Sequence, residues 1–130
     1  MAVVVLDASV VIGFLDGGDA LHARATAALT DHRADELVFP AGAYAESLVM
    51  PYRQGPGAAG RVDRFIEDFA VRVEPVGREI ARLAARLRAR HRALRLPDAL
   101  MLATGETLDA DRVLTGEPAW TKISRRARLI

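Results

Sequence analysis

Three acidic residues lie in sequence surroundings that predict a shared site. Asp7 directly follows the apolar run Val3–Leu6. Glu46 lies among small and apolar residues, and Asp98 follows Pro97 at a predicted helix start. A short β-branched run is typical of a strand buried on both faces of a parallel sheet. Ligands bind such sheets outside the carboxyl ends of the strands, so we expect the three carboxylates to converge there.

A fourth acid, Glu117, lies just beyond the predicted strand Arg112–Thr115 and is expected at the same edge. Carboxylates gathered in one place repel one another unless a cation neutralises them. The candidate ligands are all oxygen atoms and the chain has no cysteine, which favours Mg²⁺ or Mn²⁺. We predict Asp7 and Asp98 as metal ligands, with Glu46 and Glu117 as further catalytic residues. Two such ions about 4 Å apart support phosphodiester hydrolysis by activated water.

Each of these acids also has a purely structural explanation. An aspartate between a strand and a helix often caps the helix, and one in a first helical turn interacts well with the helix dipole; these explain Asp7 and Asp98. Glu46 is predicted to lie along the inner stripe of its helix, where an arginine from elsewhere would serve as well as a metal. Glu117 is also explained as an exposed turn residue.

The alternation of strands and helices predicts how these acids are positioned. It indicates an α/β fold, a three-layer α/β/α sandwich around a mainly parallel sheet of four or five strands, in one domain over residues 1–130. Further strands are predicted at 36–39, 71–73 and, at the sheet edge, 127–130. Helices are predicted at 8–15, 20–32 with Asp19 as cap, 40 to about 51, 61–70, 76–94 and from Pro97 onward.

Composition places the chain among globular proteins, with 51% hydrophobic and 27% charged residues and a net charge of +1. Any binding of nucleic acid would therefore need a local basic patch. Candidates are the arginine-rich helix 78–92 and a cluster formed by Lys122, Arg125, Arg126 and Arg128. A solvated helix face or a genome-wide arginine bias explains the same residues. The lack of cysteine, of a signal peptide and of a long apolar run favours the cytoplasm and no membrane partner.

Three stretches, taken in order, resemble one family. They are VVLDASVVIGFL at residues 4–15, FPAGAYAESL at 39–48 and LRLPDALMLATGETLDADRVLTGEPAW at 94–120. This ordered set is similar to PIN-domain proteins, specifically the ribonuclease toxins of VapBC toxin–antitoxin pairs. In the resemblance, Asp7, Glu46 and Asp98 match the three core acids, and Ser9 and Thr115 match hydroxyl residues beside the site.

The resemblance implies a Mg²⁺-dependent endoribonuclease that cleaves structured RNA such as tRNA or ribosomal RNA. It also implies a homodimer and a cognate antitoxin whose tail blocks the acidic groove. One departure concerns the fourth acid, which is usually aspartate in the family, whereas this chain has Gly116-Glu117.

Two other functions remain open from the residues. A PIN-like module without catalytic activity would bind partners through the same fold. A phosphoacceptor receiver domain also places acids and Mg²⁺ on a parallel sheet, but it needs a lysine on a late strand. The only lysine, Lys122, lies in a predicted turn.

Overall fold

The computed structural model describes all residues, 1–130. Five strands alternate with six α-helices and one 3₁₀ turn. The strands are β1 (Val3–Leu6), β2 (Glu36–Pro40), β3 (Arg72–Glu74), β4 (Arg112–Thr115) and β5 (Ala127–Leu129). The helices are α1 (Ala8–Leu15), α2 (His22–Asp31), α3 (Ala41–Gln54), α4 (Gly60–Asp68), α5 (Arg78–Arg90) and α6 (Leu96–Thr107), and the 3₁₀ turn is Pro118–Lys122.

All five strands are parallel and form one sheet in the order β3-β2-β1-β4-β5. The predicted α/β sandwich with a parallel sheet is thus confirmed. The central strand is β1, in which Val4 pairs with Leu37 of β2 and Val5 pairs with Val113 of β4. The carboxyl ends of β1 and β4 are therefore adjacent, which brings the residues after Leu6 next to those at the end of β4.

The burial of β1 agrees with its position at the centre of the sheet. Val4, Val5 and Leu6 have no solvent-exposed surface, as expected for a strand covered on both faces. Their β-branched and apolar side chains pack among buried residues of β2, β4, α1 and α6. The fully buried partners include Leu37, Val38, Phe39, Val10, Val11, Leu102 and Val113.

Several helix boundaries differ from the prediction. Helix α3 does not end near Pro51 but continues to Gln54, because a proline near a C-terminus removes only one helical hydrogen bond. The helix ends at Gly55, which adopts φ +146° and donates its N–H to the Pro51 carbonyl at 3.2 Å. Pro40 is the last residue of β2 and the N-cap of α3, one position before the helix.

The second predicted helix is also shorter than expected. It begins at His22, and Asp19 instead accepts the N–H of Leu21 at 2.8 Å within the preceding turn. Helix α5 covers 78–90 instead of 76–94, because the segment after Arg90 turns back, with the Leu94 N–H bonded to the His91 carbonyl.

Gly105 allows α6 to approach β4 closely. A Cβ at this position would lie 2.5 Å from Cγ2 of the fully buried Val113, whose branched side chain has little freedom to move. We expect Gly105→Ala to lower the free energy of unfolding by about 1–3 kcal/mol, despite the better helix propensity of alanine. Gly42→Ala in α3 is the matched control, since its Cβ would meet nothing within 4 Å. Urea unfolding of both variants tests this, and equal stabilities would contradict it.

Candidate active site

Asp7 lies at the carboxyl end of β1 and is held by three donors. Its side chain is only 8% exposed and accepts hydrogen bonds from Ala8 N–H at 2.8 Å, Ser9 Oγ at 2.7 Å and Thr115 Oγ1 at 3.1 Å. It is the N-cap residue of α1. The capping explanation is therefore confirmed for this residue, and its role in a catalytic site stays a prediction. Both hydroxyl groups bind Oδ2, so the orientation of the carboxylate is determined from two sides.

The two hydroxyl residues also connect Asp7 to the loop after β4. Ser9 Oγ accepts the N–H of Gly116, and Thr115 Oγ1 accepts the N–H of Glu117, both at 3.0 Å. Each hydroxyl thus donates to Asp7 and accepts from the loop backbone. The positions of Ser9 and Thr115 beside Asp7 agree with the sequence resemblance.

The electrostatics link Asp7 with Glu46 and Asp98. Burial is the main cause that raises the pKa of Asp7; its three hydrogen bonds oppose the increase, and the charge of Asp98 adds to it. Although Glu46 is exposed, its neighbours shield the carboxylate from part of the solvent; this desolvation raises its pKa, and the charges of Asp7 and Asp98 raise it further. The three carboxylates lie far apart in the sequence but interact electrostatically in the folded protein.

Glu46 differs from its predicted position on the helix. It is exposed, and the buried residues of α3 are Ala43 and Ser47, so Glu46 does not lie along the inner stripe. It instead borders a cavity of about 380 Å³ between α1, α3 and α4. The exposed apolar side chains of Ile12 and Met50 also line this cavity.

Arg95, the N-cap residue of α6, is a site residue that the sequence reasoning did not single out. Its Nε lies 3.4 Å from Oδ2 of Asp98, and its charge lowers the pKa of Glu46. The side chain of Arg95 is 74% exposed and that of Asp98 is 20% exposed, so solvent screens this ion pair. Arg95 lies three residues before Asp98 at the start of a predicted helix, and this spacing is the sequence feature that could have identified it as a partner of Asp98.

The three carboxylates offer oxygen ligands and repel one another, and both properties favour the binding of a hard divalent cation. No three acidic or histidine side chains lie close enough together in this conformation to coordinate one ion. Glu117 is exposed, and its charge does not contribute to the raised pKa of either Asp7 or Glu46. The structure thus brings Asp7, Glu46 and Asp98 into one electrostatic group and leaves Glu117 outside it.

The predicted basic cluster is divided. The Arg126 guanidinium binds Asp109 at 2.9 Å, Glu106 at 3.3 Å and the carbonyl of Ala110, all near the start of β4. Arg126 therefore lies near the amino ends of the strands, opposite to Asp7 at the carboxyl ends, and stabilises the turn before β4. Its predicted role in RNA binding loses its basis. Lys122, Arg125 and Arg128 are all exposed, and Arg128 also donates to the carbonyls of Arg125 and Ala127.

A sequence profile of the PIN domain matches residues 4–126, so the chain belongs to the PIN domain family. A search of curated proteins gave no significant match. No helix has the length and apolarity needed to cross a membrane.

Solved structures share the fold at low sequence identity. The toxin VapC20 of Mycobacterium tuberculosis, described as cleaving the sarcin-ricin loop, is 19% identical with a TM-score of 0.79, over 93% of this chain and 95% of that one. VapBC2 from Rickettsia felis, bound to a promoter DNA fragment, is 10% identical with a TM-score of 0.81, over 98% of each chain. FitAcB from Neisseria gonorrhoeae is 18% identical with a TM-score of 0.76, over 98% of this chain and 96% of that one.

The buried Asp7 is expected to make the stability of the metal-free protein depend on pH. Because its pKa is raised above 3.8, the folded state binds this proton more tightly than the unfolded state. The free energy of unfolding should therefore fall as the pH rises from the unfolded pKa through the folded one, and the loss should be complete above it. Urea unfolding with a chelator between about pH 4 and pH 8 measures this. Asp7→Asn should flatten the profile, and parallel profiles for the two proteins would contradict the expectation.

Proposed function

We propose that the chain is a metal-dependent endoribonuclease that acts as the toxin of a type II toxin–antitoxin pair. The observation that carries the proposal is the electrostatic group of Asp7, Glu46 and Asp98 at the carboxyl edge of a PIN-domain sheet. Like charges gathered in this way are unfavourable without a cation. A phosphodiester substrate fits a site that supplies oxygen ligands and has no cysteine nucleophile available.

In this proposal Asp7 and Asp98 hold Mg²⁺ or Mn²⁺. When bound, the ion lowers the pKa of a water molecule and neutralises charge on the scissile phosphate. Ser9 and Thr115 orient the Asp7 carboxylate through its Oδ2. Glu46 is accessible and more basic than an ordinary glutamate, so its carboxylate is suited to accept the proton of the attacking water.

Glu117 has a secondary role in this proposal. Its backbone N–H binds Thr115 Oγ1, while its exposed side chain lies outside the group of coupled carboxylates. We assign Glu117 to weak binding of a second ion or to contact with RNA. Among the basic residues of the C-terminal segment, Lys122 and Arg125 are retained as phosphate contacts, with Arg128 at their margin.

The similar structures guide the choice of substrate and partner. One is of a toxin described as cleaving the sarcin-ricin loop, and others are toxin–antitoxin complexes. We propose structured RNA, either tRNA or ribosomal RNA, as substrate in the cytoplasm, a cognate VapB-type antitoxin as inhibitor, and a homodimer as the active form.

Cleavage of total RNA tests the activity. Purified protein is incubated with a mixture of tRNA and ribosomal RNA in Mg²⁺, in Mn²⁺ and in excess chelator, and new 5′ ends are mapped. We expect discrete cuts with either metal and none with chelator. A folded protein that cuts no RNA in either metal would contradict the nuclease and support a binding module. An acid-labile adduct after treatment with a small phosphodonor would instead support a receiver domain.

A further inference from the structure

Positive charge in this chain is concentrated in one segment. Residues 78–95 contain seven arginines and one acidic residue, a formal charge of +6, whereas the whole chain carries +1. The rest of the molecule is therefore acidic on balance. A general preference for arginine would raise the number of arginines throughout the sequence and does not explain why they gather here.

Four of these arginines form a ridge along α5. Arg78, Arg82, Arg86 and Arg90 follow one another at a spacing of four residues and are all exposed, on the side away from the buried Ile80 and Ala84. Each step rises by about 6 Å along the helix, so the ridge is about 18 Å long. The step is comparable with the separation of neighbouring phosphates along a nucleotide strand.

Nothing within the chain neutralises this ridge. None of the four arginines forms an ion pair, and neither does Glu79, the only acid of α5. Like charges four residues apart destabilise a helix, so the arrangement weakens α5. An external anion with regularly spaced charges would relieve this repulsion.

The ridge is connected to the candidate active site. Arg90 ends α5, and a tight turn, closed by the bond from Leu94 N–H to the His91 carbonyl at 3.0 Å, leads to Arg95. Arg95 contacts Asp98 and acts on Glu46, as described above. A short turn thus connects the ridge on α5 with Arg95 and the carboxylates.

We propose that the ridge Arg78-Arg82-Arg86-Arg90 binds the phosphate backbone of RNA and guides it towards the carboxylates, with Arg95 as the innermost phosphate contact. The inference rests on the proposed nuclease function and names the surface that this function would use. A second copy of the chain is a poor occupant, because pairing two such ridges would oppose like charges. RNA is favoured over an acidic protein because the ridge leads to the site proposed for phosphodiester cleavage.

The salt dependence of RNA binding tests the proposal. Binding of a fluorescent RNA stem-loop is measured in the Asp7→Asn background, which separates binding from cleavage, over a series of KCl concentrations. The double variant Arg82→Gln/Arg86→Gln is compared with Arg24→Gln/Arg64→Gln, which removes the same charge from exposed, unpaired positions on α2 and α4. Each lost phosphate contact should lower the slope of log K against log salt by about 0.7 to 0.9.

We expect the ridge variant to lose about 1.4 to 1.8 of this slope and the control variant to keep it. Equal slopes in the two variants would overturn the proposal. Loss of binding to poly-glutamate, with the RNA slope unchanged, would overturn it in favour of an acidic protein partner. If the wild type cleaves no RNA but the ridge variant still loses the slope, the RNA-binding surface is correct and the nuclease function is wrong.

Discussion

Replacing Asp7 by asparagine is expected to lower the rate of RNA cleavage by about 10³-fold while leaving the protein folded. The amide keeps the size of the side chain and one acceptor oxygen for Ser9, Thr115 or Ala8, but removes the negative charge that holds a cation. Loss of about 4 kcal/mol of transition-state stabilisation corresponds to this factor. The measurement is the single-turnover cleavage rate in Mg²⁺, with circular dichroism to verify the fold.

Glu117→Gln is the matched comparison, because Glu117 lies at the neighbouring strand end but outside the group of coupled carboxylates. We expect it to lower the rate by about tenfold or less, the size of an outer contact to a metal site. If Asp7→Asn retained more than a tenth of the activity, Asp7 would be a helix cap only. If Glu117→Gln were as damaging as Asp7→Asn, the loop after β4 would have to move towards the site when metal binds.

Mg²⁺ or Mn²⁺ is expected to raise the melting temperature of the protein by about 10 °C at an ion concentration one hundred times the dissociation constant. At that concentration binding to the folded state alone adds about 2.7 kcal/mol to the free energy of unfolding. A domain of 130 residues converts this into a shift of roughly that size. Burial is the main cause that raises the pKa of Asp7 and of Glu46 in the metal-free protein, and repulsion from the neighbouring carboxylates raises it further. A bound cation would relieve this repulsion, which is the physical reason for the expected shift.

Thermal melting with and without each metal measures this shift. Asp7→Asn and Asp98→Asn should each remove most of it, whereas Asp68→Asn, an exposed and unpaired acid at the end of α4, should retain it. An equal shift in all four proteins would mean that the ions bind elsewhere. No shift in the wild type would show that Arg95 alone is enough to balance the carboxylates.

The sequence was most informative where a residue type is constrained by strand geometry. The apolar, β-branched run before Asp7 predicted a strand buried on both faces, because such a run is typical of a parallel sheet, and the structure places it at the centre of the sheet. The end of β4 was equally clear, and parallel pairing then placed Thr115 beside Asp7. The alternation of elements predicted a mainly parallel sheet of four or five strands, whereas the order of the strands was not predicted.

Features that depend on tertiary packing were not predictable from local patterns. Glu46 was placed on the inner stripe because its helical neighbours are small or apolar, but Val49 and Met50 are themselves exposed, and Met50 lines the cavity. Arg126 was assigned to an RNA-binding cluster from its neighbours in sequence, although it lies in the turn before β5 and its guanidinium pairs with Glu106 and Asp109. The contact of Arg95 with Asp98 is local, but its effect on Glu46 exists only after α3 and α6 come together, and for this reason Arg95 was missed as a site residue.

The junction of β1 with β4 has a consequence for biosynthesis. The Thr115 hydroxyl that holds Asp7 lies 108 residues later in the sequence, and the Gly116 amide that holds Ser9 lies 107 residues later. A nascent polypeptide therefore lacks an assembled centre until β4 and the residue after it have left the ribosome. For the proposed ribonuclease, this topology would delay activity until the strand that completes the site has been synthesised and folded.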